Sequence, residues 1–342
     1  PGDEDVAAVL GLDREDDYEA VVPADREHPD ALVLVAPAPL SVETLRRLEG
    51  AVDELVALIR QCEWTGRPNA LSSEHVAWPE IDAAVEATRK PRTPDTTAAA
   101  SPPEGADSAT PGGPEARAVS LIRQRRSAVA MDGVTSVPDT AFFDMMRRLL
   151  PCPGVPPWDV LPWTPRIHPV LFVHRVPDLP SGLYVLERDP AAHETLRESF
   201  RKDLRWERAA GAPEGLPLFL LEEGDARSFA RLASCQQAIA SDSAFSLGML
   251  SVFEESLRDG AWWYRRLFWE TGVLGQVLYM EAEAHGFRAT GIGCYFDDVV
   301  HEVLGLDGHR LRDLYHFTTG GHVEDTRLAT RPGYPDAVRM RT

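Results

Sequence analysis

The chain has 342 residues, a formal net charge of −19 and 44% hydrophobic side chains, enough for one large folded domain with a smaller region beside it. A surface this acidic argues against a broad electropositive footprint for nucleic acid or anionic lipid. No run approaches the roughly 18 apolar residues of a membrane span and no signal peptide opens the sequence, so neither nucleic acid nor membrane is expected as a partner.

The first segment, Asp3 to Asp13 (DEDVAAVLGLD), has a counterpart at Asp297 to Asp307 (DDVVHEVLGLD). Both have an acidic start, an apolar helix face and a Leu-Gly-Leu-Asp ending in which glycine suits a helix C-terminus. An acidic stretch and an apolar run (Ala31 to Ala36 in the first case) follow. The repeat leads to the expectation that residues 1–40 are the tail of a preceding related domain in a tandem protein. The opening Pro1, in place of Met, fits a fragment or a processed piece.

Residues 41–90 read as a helical connector. Ser41 to Gln61 carries leucines and valines at helical spacing, with Ser41 as N-cap and Glu43 and Thr44 in the first turn. A second short helix runs from about Pro79 to Arg89. Residues 91–116 are rich in Pro, Ala, Thr, Ser and Gly, too poor in large apolar side chains to offset their ordering entropy, and read as a flexible linker.

The main domain spans residues 117–335. Helices are expected over Arg117 to Ser127 and Asp139 to Leu150. Strands are expected over Val170 to Val176, Gly182 to Glu187 and Leu216 to Leu221. Two long helices follow, Cys235 to Leu257 and Gly260 to His285, and Asp313 to Thr318 is a late strand. Strands set among long helices indicate an α+β, three-layer architecture.

Several site types are absent from the pattern. There is no G-x-x-x-x-G-K, and no H-E-x-x-H or clustered ligand spacing for a catalytic metal. Gly291-Ile292-Gly293 opens like a dinucleotide fingerprint but has Phe296 where the third glycine belongs, and it follows a helix. Lys90 and Lys202 are the only lysines, which leaves few candidates for Schiff-base chemistry. Cys62, Cys152, Cys235 and Cys294 form no C-x-x-C pair, which argues against a zinc ribbon or a disulfide framework and favours a reducing cytoplasm.

Four further elements occur in order. Arg125-Arg126-Ser127 closes the opening helix. Pro162-Trp163-Thr164-Pro165-Arg166-Ile167-His168-Pro169 leads into the strand VLFVHRV and the turn Gly182-Leu183-Tyr184. Tyr264 to Gly293 holds a long helix with Glu270 and Gly272, then Thr290-Gly291-Ile292-Gly293. The tail runs through Leu304-Gly305-Leu306-Asp307 to Thr319-Gly320-Gly321 and Arg327. Together they resemble the nitroreductase superfamily, in particular its SagB-type dehydrogenase branch, over about two-thirds of the chain.

The resemblance implies a nitroreductase-like three-layer α/β/α fold with a central, mostly antiparallel sheet and a long helix at the subunit interface. It implies FMN as cofactor, with NADH or NADPH as a possible electron donor. The phosphate would lie against Arg125, Arg126 and Ser127, because a dianion needs cationic and hydroxyl donors and guanidinium meets it bidentately. Arg327 or Arg331 would add a second cation. Thr164, Pro165 and His168 would flank the flavin, and the Gly291, Ile292 and Gly293 backbone would approach the ring. Gly272 and Gly275 would allow close helix packing. A pocket shared between two subunits implies a homodimer, or a pseudo-dimer with the preceding related domain.

Other readings of the same residues stand beside these. Arg123, Arg125 and Arg126 equally suit a solvated basic helix end, and Glu270, His168 and Tyr264 suit structural roles as well as proton transfer. Catalytic residues are therefore not assigned. The sequence also departs from the family. Val129 replaces a basic residue, a loss of about 1.5–3 kcal/mol of charge-assisted bonding. Arg258-Asp259 stands in place of the Lys-Tyr pair of azoline-oxidising members, and Trp163 to Pro165 replace small residues. Two functions are expected to compete: an FMN-dependent oxidoreductase acting on a small organic substrate, and a non-catalytic flavin-binding or assembly domain partnering a second repeat.

Overall fold

The structure is a computed structural model, and it describes residues 1–14, 27–32, 42–65, 78–93, 118–152, 155–161 and 163–329. The chain divides into two compact units, Pro1–Ala98 with Leu257–Arg265, and Ala99–Ser256 with Arg266–Thr342. Ser41, most of the expected linker, Pro162 and Arg331 lie outside the described residues.

The first unit contains helices α1 (Asp3–Leu10), α2 (Val42–Gly50), α3 (Val52–Ile59) and α4 (Pro79–Ala87). Its tertiary bonds converge on the first turn of α1. Asp5 accepts the Gly2 N–H at 2.8 Å and holds a forked ion pair with Arg92. Asp3 accepts from the Lys90 amide at 2.9 Å and the Arg265 guanidinium at 2.5 Å. Carboxylates at a helix N-terminus are favoured there by the helix dipole as well as by these cations.

The second unit is built on one seven-stranded sheet, wholly antiparallel, in the order β3-β4-β2-β1-β5-β7-β6. The strands are β1 (Ile167–Val173), β2 (Gly182–Leu186), β3 (Glu207–Arg208), β4 (Leu218–Glu223), β5 (Phe245–Val252), β6 (Arg288–Ile292) and β7 (Leu311–Gly320). The helices are α5 (Ala118–Gln124), α6 (Asp139–Arg148), α7 (His193–Ser199), α8 (Arg227–Ala233), α9 (Ala238–Asp242), α10 (Phe253–Arg258), α11 (Trp263–Ala284) and α12 (Asp297–Leu304), of which the end of α10 and the start of α11 fall in Leu257–Arg265 of the first unit.

Successive strand residues point to opposite faces, and here both faces are buried. One face packs Ile167, Leu171, Tyr184, Leu247 and Phe317 against Phe142 and Met146 of α6 and Leu267, Leu274 and Leu278 of α11. The other packs Val170, Phe172, Val185, Leu250 and Leu311 against Leu196 of α7, Ala230 of α8, and Val300 and Leu304 of α12. Two helical layers thus enclose the sheet, the three-layer α+β arrangement expected from the sequence.

The largest departure is at residues 235–257, expected as one long helix. They form α9, the central strand β5 and α10. β5 is buried at all eight positions, FSLGMLSV, so it shows no apolar alternation, and periodicity cannot separate such a strand from a buried helix. Arg288–Ile292 form β6, a strand not among those expected from the sequence.

The repeated segments fold alike. α1 and α12 each end at a left-handed glycine, Gly11 at φ 76° and Gly305 at φ 68°. Leu12 N–H reaches the Ala7 carbonyl, and Leu306 N–H reaches His301, each at 2.8 Å. This is the Schellman closure, in which glycine avoids the Cβ penalty of the left-handed region.

Candidate functional site

The segment after α5 lies along the free edge of β6. Ser127 forms a parallel bridge with Ala289, and Ala128 N–H donates to the Ala289 carbonyl at 3.0 Å. Thr290 Oγ1 returns a bond to the Ala128 carbonyl at 2.6 Å. The chain then runs beside the end of β7, where Asp132 N–H meets the Gly321 carbonyl at 2.9 Å and Val323 N–H meets Ala130 at 3.0 Å. An edge strand offers unpaired main-chain groups, and this segment covers part of that edge.

At this edge Tyr279 of α11 is the common partner. Its hydroxyl is 2.9 Å from Ser127 Oγ and accepts the Gly291 N–H, also at 2.9 Å. The Arg125 guanidinium stacks over its ring, 4.6 Å from the centroid, and the ring packs edge-on against Phe317 at 4.8 Å. Arg125, Ser127 and Gly291 are therefore brought together by a tyrosine that the sequence reading did not single out. No spacing rule marks Tyr279, because its partners lie 152 and 12 residues away.

Arg126 turns elsewhere. It is exposed, and its Nη1 donates to the carbonyls of Arg123 at 2.8 Å and Arg125 at 2.6 Å at the end of α5. Ile292 points into the core and pairs with His316 across the sheet, while Gly293 is exposed. Arg327 is paired with Asp325 in a two-pronged contact at 2.8 and 2.7 Å.

Thr164, Pro165 and His168 belong to a different centre. Gly291 shares a row with Phe317, Leu247 and Leu171, whereas Ile167 lies three strands away and four residues along β1. That separation is roughly 20 Å, so these residues and the Gly291 edge do not meet within the chain.

The centre near Ile167 is organised by Glu270, which is 1% exposed. Glu270 accepts from Trp163 Nε1 at 3.2 Å and from the amides of Arg166 and Ile167, and it is ion-paired with the equally buried Arg188. Arg188 also donates to the Leu149 carbonyl at 2.7 Å and the Ile167 carbonyl at 3.0 Å. Its amide donates to His168 Nδ1 at 3.1 Å. Burial first, and the Arg188 charge second, hold the His168 pKa down to about 3. His168 is thus a neutral core histidine, and Glu270 locks α11 to the start of β1. Thr164 is exposed and Pro165 is half-buried beside them.

The two glycines expected to ease packing of the long helix differ. A Cβ at Gly275 would meet the Phe317 ring at 3.4 Å, whereas Gly272 faces open space. A Cβ at Gly291 would collide with the Tyr315 hydroxyl, so the missing side chain there makes room for a tyrosine. Burial, with Tyr279 nearby, raises the Tyr315 pKa.

A cavity of about 430 Å³ lies between α5, α6 and α11, lined by Ile122, Arg148, Trp158, Val277, Met280 and Glu281 among others. Burial raises the Glu281 carboxyl pKa against the opposing pull of Arg148, 3.6 Å away. Arg125, Ser127 and Gly291 are not in its wall. Among the described residues no group of His, Cys, Asp and Glu is arranged to hold a metal ion, and no helix is long and apolar enough to cross a membrane.

Arg125 and Ser127 supply a cation and a hydroxyl, which suit a phosphate, whereas the Gly291 N–H is already given to Tyr279. The isoalloxazine ring finds no glycine cradle at Gly291, where Tyr315 fills the space. Among the described residues the fit is to the phosphate-bearing end.

No family model and no curated protein matches the sequence. The solved structures that the chain is similar to include a protein assigned as a nitroreductase from Anabaena variabilis, at 20% identity and TM-score 0.46, covering 59% of this chain and 37% of that one. The chain therefore spans a little over a third of that protein's length. A nitroreductase-assigned protein from Exiguobacterium sibiricum in complex with FMN matches at 11% identity and TM-score 0.39, covering 65% and 96%. The E. coli microcin synthetase McbBCD complex matches at 15% identity and TM-score 0.43, covering 94% and 95%.

Proposed function

We propose that the second unit supplies one wall of a flavin-dependent oxidoreductase site of the nitroreductase type, acting on a small organic molecule. The observation that carries this reading is the convergence of Arg125, Ser127 and the Gly291 edge on Tyr279. These are three of the ten residues that the family resemblance assigns to the flavin; Arg126, Thr164, Pro165, His168, Ile292, Gly293 and Arg327 do not join them. Arg125 and Ser127 come from one stretch of the chain and Gly291 from another, and a solvated basic helix end alone does not require their meeting at Tyr279.

In this reading Arg125 pairs with the FMN phosphate and Ser127 donates its hydroxyl to it, the short charge-assisted bonds that bind phosphate best. Tyr279 orients both, through its ring and its hydroxyl. The bound flavin supplies hydride chemistry, with NADH or NADPH as the donor. The second wall comes from another nitroreductase-like domain, either in a second copy of this chain or in a preceding repeat. The matching Schellman ends of α1 and α12 support the repeat.

The competing reading, an assembly domain without catalysis, is favoured by one observation: Tyr315 fills the glycine cradle at Gly291. Colour separates the two. The purified chain is expected to be yellow and to bleach on addition of NADH or NADPH. Yellow protein that no donor bleaches supports the assembly reading. Colourless protein that takes up no added FMN ends the oxidoreductase reading.

A further inference from the structure

His316 of β7 is enclosed by two segments far apart in sequence. Ser234 Oγ meets its edge, 2.9 Å from Nδ1, and Tyr295 stacks on its face, with centroids 5.0 Å apart and planes at 21°. Tyr295 is itself anchored through its hydroxyl to the Leu314 carbonyl at 2.6 Å. On the far side of the ring, Asp313 Oδ2 lies 2.5 Å from Nε2. Ser234, Asp313 and His316 are all buried, and Asp313 Oδ1 has no hydrogen-bond partner. With Ser234 sealed from solvent, the line of serine, histidine and aspartate is not laid out to receive a substrate.

The chain neighbours of the two enclosing residues are bonded to each other. Cys235 follows Ser234, Cys294 precedes Tyr295, and the two cysteines form a disulfide across 59 residues with Cα atoms 5.7 Å apart. This bond was not expected from the sequence, because pairing across so long a separation leaves no local spacing signal. Two hydrogen bonds accompany it across the junction, Gln237 Nε2 to the Cys294 carbonyl at 3.2 Å and Phe296 N–H to the Ala233 carbonyl at 2.7 Å.

Two features mark the disulfide as accessible to chemistry. Cys294 is exposed and Cys235 half-buried, so a thiol can approach from solvent. Cys235 and Gln236 both hold left-handed backbone, at φ 53° and 62°, a conformation that L side chains resist and that the closed bond helps to maintain.

We propose that Cys235–Cys294 is a thiol–disulfide exchange site for a dithiol or low-molecular-weight thiol, and that its state sets how tightly His316 and Asp313 are sealed. An incoming thiolate attacks the exposed Cys294 sulfur, the disulfide breaks, and Cys235 leaves as a thiolate that takes a proton from water. A second thiolate then attacks the donor sulfur of the mixed disulfide and releases Cys294. Two electrons enter the pair and the donor leaves as its own disulfide. With the bond open, the turn at 234–237 and the segment 294–296 part, and water reaches the unpartnered Asp313 oxygen. The proposal does not rest on flavin binding.

The test uses the full chain with Cys62→Ser and Cys152→Ser, which removes the two free cysteines. Before reduction no thiol of the folded protein should alkylate. After dithiothreitol two should, and oxidised glutathione should close the pair again. Amide exchange at residues 234–237 and 294–296 should rise about tenfold on reduction and return on reoxidation. Added Cys294→Ser should show the fast pattern without reductant. The proposal is overturned if the pair alkylates before reduction, or alkylates only in denaturant. Equal exchange in the two redox states also overturns it, as does slow exchange in the Cys294→Ser chain.

Discussion

Ser127 and Tyr279, 152 residues apart, meet through their hydroxyls at 2.9 Å, and the same tyrosine oxygen accepts the Gly291 amide. That oxygen joins the end of the opening helix to the edge strand.

Removing only this oxygen tests its contribution. Tyr279→Phe keeps the ring packed on Phe317 and beneath Arg125 but leaves the Gly291 N–H without its acceptor. A loss of about 1 kcal/mol is expected, the net value of a typical hydrogen bond, with faster amide exchange at Gly291. Urea titration measures the first and hydrogen exchange the second. Unchanged values for both would mean that the hydroxyl does not tie the edge together.

The Glu270–Arg188 pair makes a larger prediction. Both side chains are 1% exposed, and Glu270 also holds the Arg166 and Ile167 amides. Glu270→Gln leaves the Arg188 charge buried without its counter-ion and is expected to cost roughly 3–5 kcal/mol. The double change Glu270→Leu with Arg188→Met removes both charges and should recover a good part of that loss. A double variant no more stable than the single would show that the main-chain bonds, and not the charge pair, dominate.

Acid sensitivity follows from two buried histidines. His168 is held down to about 3, chiefly by burial, and His174 to about 4, again chiefly by burial. An unfolded histidine titrates near 6.5, so below that pH the unfolded chain binds protons that the folded chain refuses. Stability from these groups is complete above about pH 6.5 and falls as pH drops toward 4, by about 1.4 kcal/mol per pH unit per histidine once well below 6.5. His168→Gln with His174→Gln should flatten the urea midpoint between pH 6 and 4, values set by that same window. An unaltered slope would place the acid sensitivity on other groups.

The sequence made much of this architecture legible. Apolar runs bounded by Pro-Ser-Gly gave β1 and β2, and the Leu-Gly-Leu-Asp endings gave the glycine-capped ends of α1 and α12. β5 stayed hidden because a strand buried on both faces shows neither alternation nor helical period. At the candidate site, Arg125, Ser127 and Gly291 were readable as motif residues, but Tyr279 and Tyr315 were not. Their roles arise from tertiary contacts with no spacing in the chain. Cys235–Cys294 escaped for the same reason. His168 and Glu270 were visible as titratable residues, yet only burial and partners show that they hold the core together.

The central claim, that Arg125 and Ser127 receive a flavin phosphate, is tested most directly by titrating the purified full chain with FMN and with riboflavin, which lacks the phosphate. FMN is expected to bind at least about tenfold more tightly, from roughly 1.5–3 kcal/mol per charge-assisted bond, and Arg125→Ala with Ser127→Ala to abolish the difference. Equal affinity for the two flavins, or a preference for FMN that survives both substitutions, would contradict it.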